Sequence, residues 1–323
     1  MSNDNIKITM LGTTGSGKTC FMVGMYAVMQ LGVHGFTLSA QDSDEDIDLS
    51  DKWEQLLEGG EERYPQPTDQ TCNYAFDFSY GFRKLMGFNW LDYRGGALRD
   101  KNIQQDVQTL EKNLHESSCV FLCVSGEYLK KPIESQHELQ NLKKQTRVER
   151  MNHFLQKLYN ENGPIPVVIA ITKFDLCAHR TRDDITEDIK KLFNPLFTNN
   201  EKGWLVMICP VSLGKGLADN MTEGIIEPIN LHLPLSFAIY SRFVQEAAKG
   251  KAQENDLREE SGKLQGKNWF MKQIKREEIT RIDSSLKRTQ AQTNDLQEKM
   301  QLLAQELGKV KMYFNGEETE IGI

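Results

Sequence analysis

Residues 12 to 19 read GTTGSGKT and stand between an apolar run, IKITML, and a stretch with helical periodicity. The segment fits the pattern G-x-x-x-x-G-K-[ST] in full, in the strand–loop–helix context that this pattern requires. Glycines in such a loop let successive backbone N–H groups point at one anion, and the start of the following helix adds a favourable field. The sequence therefore predicts a phosphate-binding loop.

The side chains of this loop indicate a nucleotide with magnesium. Lys18 supplies a positive charge to the β- and γ-phosphates, and Thr19 offers a hydroxyl group to Mg²⁺. A glycine turn with a purely structural role is the alternative interpretation. The residues predicted to contact the phosphates are Gly12, Thr13, Thr14, Gly15, Ser16, Gly17, Lys18, Thr19 and Cys20.

A second motif indicates which base is bound. Residues 167 to 175 read VVIAITKFD, an apolar strand that ends at Thr172 and is followed by Lys173 and Asp175. The Asp175 carboxylate can accept hydrogen bonds from both N1–H and the exocyclic amine of guanine, a pairing that adenine cannot offer. The aliphatic stem of Lys173 can lie along the base. The motif therefore favours a guanine nucleotide.

Two weaker signals belong to the same site. Asp92 ends the strand in NWLDYRGG (residues 89 to 96), and it is predicted to hold Mg²⁺ through water while the Gly95 N–H meets the γ-phosphate. An ordinary strand that runs into a turn is the alternative, because Asp and Gly are common turn formers. A later strand, WLVMICPVS, ends at Ser212, and backbone N–H groups of Ser212 and Leu213 are predicted to contact the guanine carbonyl.

The segments GTTGSGKT, DYRG, TKFD and VSLG occur in this order, and together they resemble the GTPase superclass of P-loop proteins, with its Ras-like or translation-factor-related fold. The resemblance covers about residues 5 to 248. The DYRGG form, a long switch insertion and the helical tail are most similar to a bacterial branch with additional C-terminal helices. The resemblance implies GTP and GDP as ligands and Mg²⁺ as cofactor.

The resemblance also implies a switch threonine that completes the Mg²⁺ coordination when the γ-phosphate is present. Thr68 and Thr71 both qualify as this metal ligand, and Thr68 is preferred. Gly96 stands where the family usually has a water-orienting glutamine, so intrinsic hydrolysis is expected to be slow. Arg94 is a candidate transition-state cation supplied in cis, although an exposed switch arginine that binds a partner or a carboxylate is the more ordinary interpretation.

Short apolar runs alternate with amphipathic stretches up to about residue 248, a pattern that predicts an α/β fold with a mostly parallel, six-stranded sheet. The short connection between two neighbouring strand candidates predicts one antiparallel pair at a sheet edge. Strands are predicted at 5–11, 73–80, 86–92, 117–125, 166–172 and 204–211. Helices are predicted at 18–31, 102–114, 135–160, 183–197 and 235–248.

Residues 41 to 70 interrupt this pattern. QDSDEDIDLSD reads as an acidic, solvated loop, and it lacks the glycine of a calcium-binding EF-hand loop. YPQPTDQT reads as a loop that contains proline. Both segments are therefore expected to be loops.

The composition changes after about residue 249, where Lys, Glu, Gln and Arg dominate. Apolar or small residues recur at alternating spacings of three and four through 279–310, the seam of a coiled coil. The predicted organisation is a GTPase domain at 1–248 and a helical extension at 249–323. A dimerising coiled coil and an intrachain hairpin remain open, so a protein partner or self-association through 250–310 is expected. The end, YFNGEETEIGI, reads as a short hairpin or a loose tail.

The composition limits the kinds of partner and compartment that fit this protein. The 323 residues carry a formal net charge of −7, which argues against a nucleic-acid partner. Six scattered cysteines indicate reduced thiols in a cytoplasmic protein. The longest apolar run, IPVVIAI at 165–171, is too short to span a bilayer.

The leading hypothesis from the sequence is a guanine-nucleotide switch that hydrolyses GTP to GDP and phosphate with Mg²⁺. Mobile switch loops and the helical tail would carry its output. One alternative is a GTP-binding scaffold with negligible hydrolysis that acts through coiled-coil interactions. Another is a P-loop ATPase or nucleotide kinase.

Overall fold

The computed structural model describes residues 6–65, 71–93, 104–162, 165–217, 223–265 and 276–320. Contacts divide the chain into two compact units. One consists of Met1–Ala238 with Val310–Ile321, and the other of Ile239–Lys309 with Gly322–Ile323.

The described strands belong to the first unit. They are β1 (Ile6–Leu11), β2 (Phe36–Ala40), β3 (Cys72–Tyr80), β4 (Arg83–Asp92), β5 (Cys119–Ser125), β6 (Val167–Thr172), β7 (Leu205–Pro210), β8 (Ser212–Lys215), β9 (Ile225–Ile229), β10 (Lys311–Phe314) and β11 (Glu317–Thr319). Nine of them form one sheet in the order β11-β10-β7-β6-β5-β1-β4-β3-β2, while β8 and β9 form a separate antiparallel pair.

The centre of the sheet is parallel: β7, β6, β5, β1 and β4 all run in one direction. Helices of the chain are α1 (Lys18–Leu31), α2 (Ser43–Glu58), α3 (Gln104–His115), α4 (Gln136–Thr146), α5 (Val148–Asn162), α6 (Arg182–Leu192), α7 (Asn194–Phe197), α8 (Leu233–Gln265) and α9 (Arg276–Leu307). The predicted α/β class with a mostly parallel sheet is confirmed.

The sheet is larger than the predicted six strands. β3 and β4 form the predicted antiparallel pair, but β2 lies outside them and takes the edge position. In β2, Phe36 and Leu38 are buried and alternate with less buried residues, which is the period of a half-buried strand. Five residues are too few for this alternation to stand out from the chain alone.

The acidic segment predicted as a loop forms α2, so that prediction is wrong. Asp42 caps the helix, because its carboxylate accepts from the N–H groups of Asp44 and Glu45. Acidic side chains in the first turn are stabilised by the helix dipole. Leu49 and Leu56, two turns apart, are buried on one face and give the helix its packing surface.

Two predicted helices are each interrupted. The predicted helix 135–160 forms α4 and α5, and Arg147 stands between them with a φ of 56°, in the left-handed region. The predicted helix 183–197 forms α6 and α7, and Pro195 lies in the first turn of α7. Proline suits a first helical turn and not a helix interior, which explains the new start.

The C-terminal residues form a hairpin of β10 and β11, one of the two forms left open for this tail. β10 pairs antiparallel with β7, with Met312 opposite Met207. Tyr313 is 1% exposed and belongs to the core beneath the sheet. Part of the predicted extension 249–323 therefore lies in the first unit.

The second unit contains most of α8 and all of α9. Gln290 Nε2 donates to Glu254 Oε1 at 3.0 Å, and a Cβ on Gly250 would lie 2.7 Å from Thr293 Oγ1. These contacts place two helices of one chain side by side, as in the intrachain hairpin. Self-association through 250–310 stays a prediction.

None of the helices in the described residues combines the length and apolar character needed to cross a membrane.

Candidate functional site

The predicted motifs lie together at the carboxyl ends of the parallel strands. Asp92 ends β4 opposite Met10 of β1, and Thr172 ends β6 opposite Ser125 of β5. In open α/β sheets, ligands bind outside the carboxyl ends of the parallel strands. The motifs therefore meet where this architecture forms ligand sites.

The loop between β1 and α1 has the backbone that a phosphate cradle needs. Gly15 and Gly17 have φ values of 78° and 80°, in the left-handed region that glycine adopts without strain. Gly12 lies against β5, where an added Cβ would be 3.1 Å from the Cys123 carbonyl oxygen. Thr14 and Gly15 are exposed at the opening of the loop, whereas Thr13 and Ser16 are buried.

Lys18 is folded over this loop. Its ammonium donates to the carbonyl oxygens of Gly12 at 3.0 Å and Thr13 at 3.2 Å, and only 7% of the residue is exposed. Burial lowers the pKa of Lys18, and the negative charge of Asp92 opposes this shift. A buried cation beside exposed backbone N–H groups is an arrangement that favours a bound anion.

The Thr19 hydroxyl group and the Asp92 carboxylate, both predicted as metal ligands, form a hydrogen bond with each other. Thr19 Oγ1 donates to Asp92 Oδ2 at 3.0 Å. Asp92 is 2% exposed, and its Oδ1 has no hydrogen-bond partner among the described residues. Burial raises the pKa of Asp92, and the charge of Lys18 is the strongest opposing influence. An unpartnered carboxylate oxygen beside a hydroxyl group fits Mg²⁺, which prefers oxygen ligands and retained waters.

Thr172 connects the phosphate loop to the base motif. Its hydroxyl group lies 2.5 Å from the Ser16 carbonyl oxygen and 3.3 Å from that of Val124. The same side chain lies against Gly17, where an added Cβ would be 3.6 Å from Thr172 Cβ. The threonine of the TKFD segment thus supports the loop through its side chain.

The base motif and the later strand end also meet. Ser212 Oγ lies 2.9 Å from Asp175 Oδ1 and 2.7 Å from the Gly214 carbonyl oxygen, two acceptors that share its one hydroxyl proton, and it accepts from the Gly214 N–H at 3.1 Å. Lys173 adopts a left-handed φ of 50°, at the sharp turn between β6 and Asp175. The Leu213 side chain turns away toward α1, where it would contact a Cβ on Gly24 at 2.6 Å. Ser212 therefore positions Asp175 through its side chain, a contact the sequence did not predict.

Gly126, which follows β5, lies against the backbone of this motif. A Cβ there would be 2.6 Å from the Lys173 carbonyl oxygen and 3.0 Å from Cys177 Sγ. We expect Gly126→Ala to lower the free energy of unfolding by about 1–3 kcal/mol and to weaken nucleotide binding, because the Lys173 turn must move. Urea denaturation and nucleotide titration measure both effects. Gly308→Ala, whose added Cβ has its nearest atom at 3.8 Å, is the control, and equal unfolding for both variants would contradict the prediction.

Several predicted residues cannot be placed. Thr68, Arg94 and Gly95 lie outside the residues that the structure describes, so their proposed roles stay predictions. Thr71 is described and exposed. It precedes Cys72, whose Cα pairs with that of Asp92, so Thr71 lies close to the candidate metal site.

Tyr64, which no sequence motif selects, contacts the segment that follows β8. Its hydroxyl group donates to the Leu217 carbonyl oxygen at 2.9 Å, across 153 positions of the chain. Burial raises the pKa of Tyr64, with smaller influences from the nearby Arg63, Cys20 and Asp175. No local pattern in the sequence indicates this long-range contact.

Comparisons with known proteins add no assignment: no family model matches this chain, and no curated protein matches it.

Proposed function

We propose that the protein is a P-loop GTPase of the Ras-like and translation-factor-related class, which binds GTP with Mg²⁺ and hydrolyses it to GDP and phosphate. The observation that carries the proposal is the hydrogen bond between Thr19 and Asp92, beside the buried ammonium of Lys18. Residues 73 positions apart form the hydroxyl–carboxylate pair that a magnesium-bound nucleotide requires.

Different residues of the site have different proposed roles in phosphoryl transfer. Lys18 and the N–H groups of the loop bind the β- and γ-phosphates and stabilise charge that develops during hydrolysis. Thr19 and Asp92 would hold Mg²⁺, which neutralises phosphate charge when bound. Water attacks the γ-phosphorus in line, the bond to the β,γ-bridging oxygen breaks, and a proton passes to solvent as GDP leaves. Switching would follow from loss of the γ-phosphate.

Guanine selectivity is proposed for Asp175, held by Ser212. We expect Asp175→Asn to weaken GTP binding at least about tenfold and to improve xanthosine triphosphate binding, because an amide N–H can donate to the C2 carbonyl of xanthine. Titration of GTP, ATP and xanthosine triphosphate against both proteins measures the change. Unchanged selectivity in the variant would remove Asp175 from the base site, and an original protein indifferent to guanine and adenine would favour the ATPase or kinase alternative.

A scaffold that binds GTP with negligible hydrolysis is the second candidate. Gly96 supports it, since glycine has no side chain to orient the attacking water. Lys18, Thr19 and Asp92 oppose it, because a lysine and Mg²⁺ ligands in this arrangement also stabilise the charge that develops on the transferring phosphoryl group. Single-turnover phosphate release from the protein saturated with GTP and Mg²⁺ separates the two: release above the rate without protein supports the GTPase, and none supports the scaffold.

A further inference from the structure

Helix α2 begins beside β3 and runs toward the candidate metal site. Near its start, Glu45 Oε2 accepts from the Ala75 N–H of β3 at 3.3 Å. Lys52 follows two turns later, about 10 Å along the helix. Cys72 lies three residues before Ala75, about 10 Å along β3. Cys72 pairs with Asp92. The step from Glu45 to Lys52 along α2 therefore has about the same length as the step from Ala75 to Cys72 along β3, which ends beside the candidate metal site.

Contacts with α1 give the direction of α2 independently. Asp46 accepts from the Gln30 side-chain amide at 3.1 Å, at the end of α1. Seven residues after Asp46 on α2, Trp53 would lie 3.5 Å from a Cβ on Gly24. Because α2 advances as the α1 residue number falls, it runs toward the phosphate loop. Both neighbours therefore place Lys52 in the half of α2 that lies nearer the site.

The electrostatics agree with this placement. Burial raises the pKa of Asp92, and Lys52 opposes the rise together with the stronger influence of Lys18. Burial also raises the pKa of Cys72, again with an opposing influence from Lys52.

Lys52 is held loosely. Its ammonium lies 2.5 Å from Asp48 Oδ2, one turn earlier on α2, and the two side chains are 29% and 50% exposed. Partly exposed pairs of this kind contribute little to stability, since water and salt screen them. The ammonium can therefore exchange Asp48 for a more highly charged partner at small cost, and a γ-phosphate beside Asp92 is such a partner.

We propose that Lys52 is a catalytic residue of the GTPase: with GTP bound, its ammonium leaves Asp48 and contacts the γ-phosphate oxygens. The inference rests on the proposed function and adds a residue to it. The Lys52 charge stabilises the oxygens of the transferring group while water attacks and GDP leaves. It acts as a positive charge and takes no proton from the water. A cation on α2 thus compensates in part for the glycine at position 96.

The test compares Lys52→Ala with Lys84→Ala, a lysine of the same unit paired with Asp77 at 2.7 Å. We expect Lys52→Ala to slow single-turnover hydrolysis roughly ten- to hundredfold and to weaken a non-hydrolysable GTP analogue relative to GDP, because only the γ-phosphate contact is lost. Lys84→Ala should change neither quantity. If both variants behave alike, the proposal fails. If the original protein binds no guanine nucleotide, the proposed function itself fails.

Two further variants separate catalysis from a structural role. Lys52→Arg keeps the charge and should recover most of the lost rate. Asp48→Asn releases the ammonium and should raise the affinity for the GTP analogue or the rate of hydrolysis. If Lys52 only braced α2 through Asp48, Asp48→Asn and Lys52→Ala would impair the protein in the same direction, and this result would overturn the inference.

Discussion

Lys18→Ala is expected to abolish tight binding of guanine nucleotides, with a loss of at least about a hundredfold in affinity. The ammonium is the one buried cation among the described residues of the phosphate loop, and it already lies within hydrogen-bond distance of two loop carbonyl groups. Phosphate oxygens would replace these carbonyl groups as partners. Each charge-assisted hydrogen bond lost costs about 1.5–3 kcal/mol.

The same substitution should leave the fold intact. Burial disfavours the charged form of Lys18, so removing the ammonium does not remove a large stabilising contribution. Isothermal titration with GDP and Mg²⁺ measures affinity, and thermal unfolding without nucleotide measures stability. Lys7→Ala is the control, since Lys7 lies at the other end of β1 and bonds Asn113 and Glu116. Undiminished GDP affinity in Lys18→Ala would exclude the phosphate-loop assignment.

Tyr313→Ala is expected to destabilise the protein by about 3–5 kcal/mol. The ring is buried in the core and lies edge-on to Phe197, with a centroid separation of 5.3 Å. Lys190 Nζ lies 4.6 Å from the centre of the same ring. Removing the ring leaves a cavity in the core beneath the paired strands β10 and β7. A truncation after residue 250 would remove β10 altogether, and we expect it to impair folding.

Two neighbouring substitutions make this prediction specific. Phe314→Ala, on the same strand but 53% exposed, should change the free energy of unfolding by less than about 0.5 kcal/mol. Tyr313→Phe should be neutral or stabilising, because the buried hydroxyl group has no hydrogen-bond partner among the described residues. Urea denaturation compares all three. Equal stability of Tyr313→Ala and Phe314→Ala would show that the C-terminal hairpin is not part of the cooperative fold.

Local chemistry explains where the sequence analysis succeeded. Glycine positions, a following helix and a preceding apolar strand predict a strand–loop–helix unit within a short window, and α1 has its predicted bounds of 18 to 31. Asp92, Thr172 and Asp175 each end or follow an apolar strand, which is visible in the chain. The order of the parallel strands then brings them to one edge, as expected for this fold class.

Helix α2 shows where local patterns fail. Its segment is acidic and has few apolar residues, so the chain alone reads as a loop. Asp42 at the cap and two buried leucines make it a helix, but burial of the leucines depends on α1 and the sheet. The position of Lys52 follows from that packing and has no motif of its own.

The sequence by itself determined the α/β class and the glycine-rich loop before α1, and it supplied the candidate residues for binding phosphate and base, because each depends on chemistry within a few neighbouring positions. Only the tertiary structure decided that Ser212 contacts Asp175 and that Tyr64 contacts Leu217. It also decided that Tyr313 is buried on the strand that pairs with β7. These contacts join residues 37, 153 and about a hundred positions apart. Their stability comes from burial and hydrogen bonds that exist only after the strands have paired, so no pattern along the chain records them.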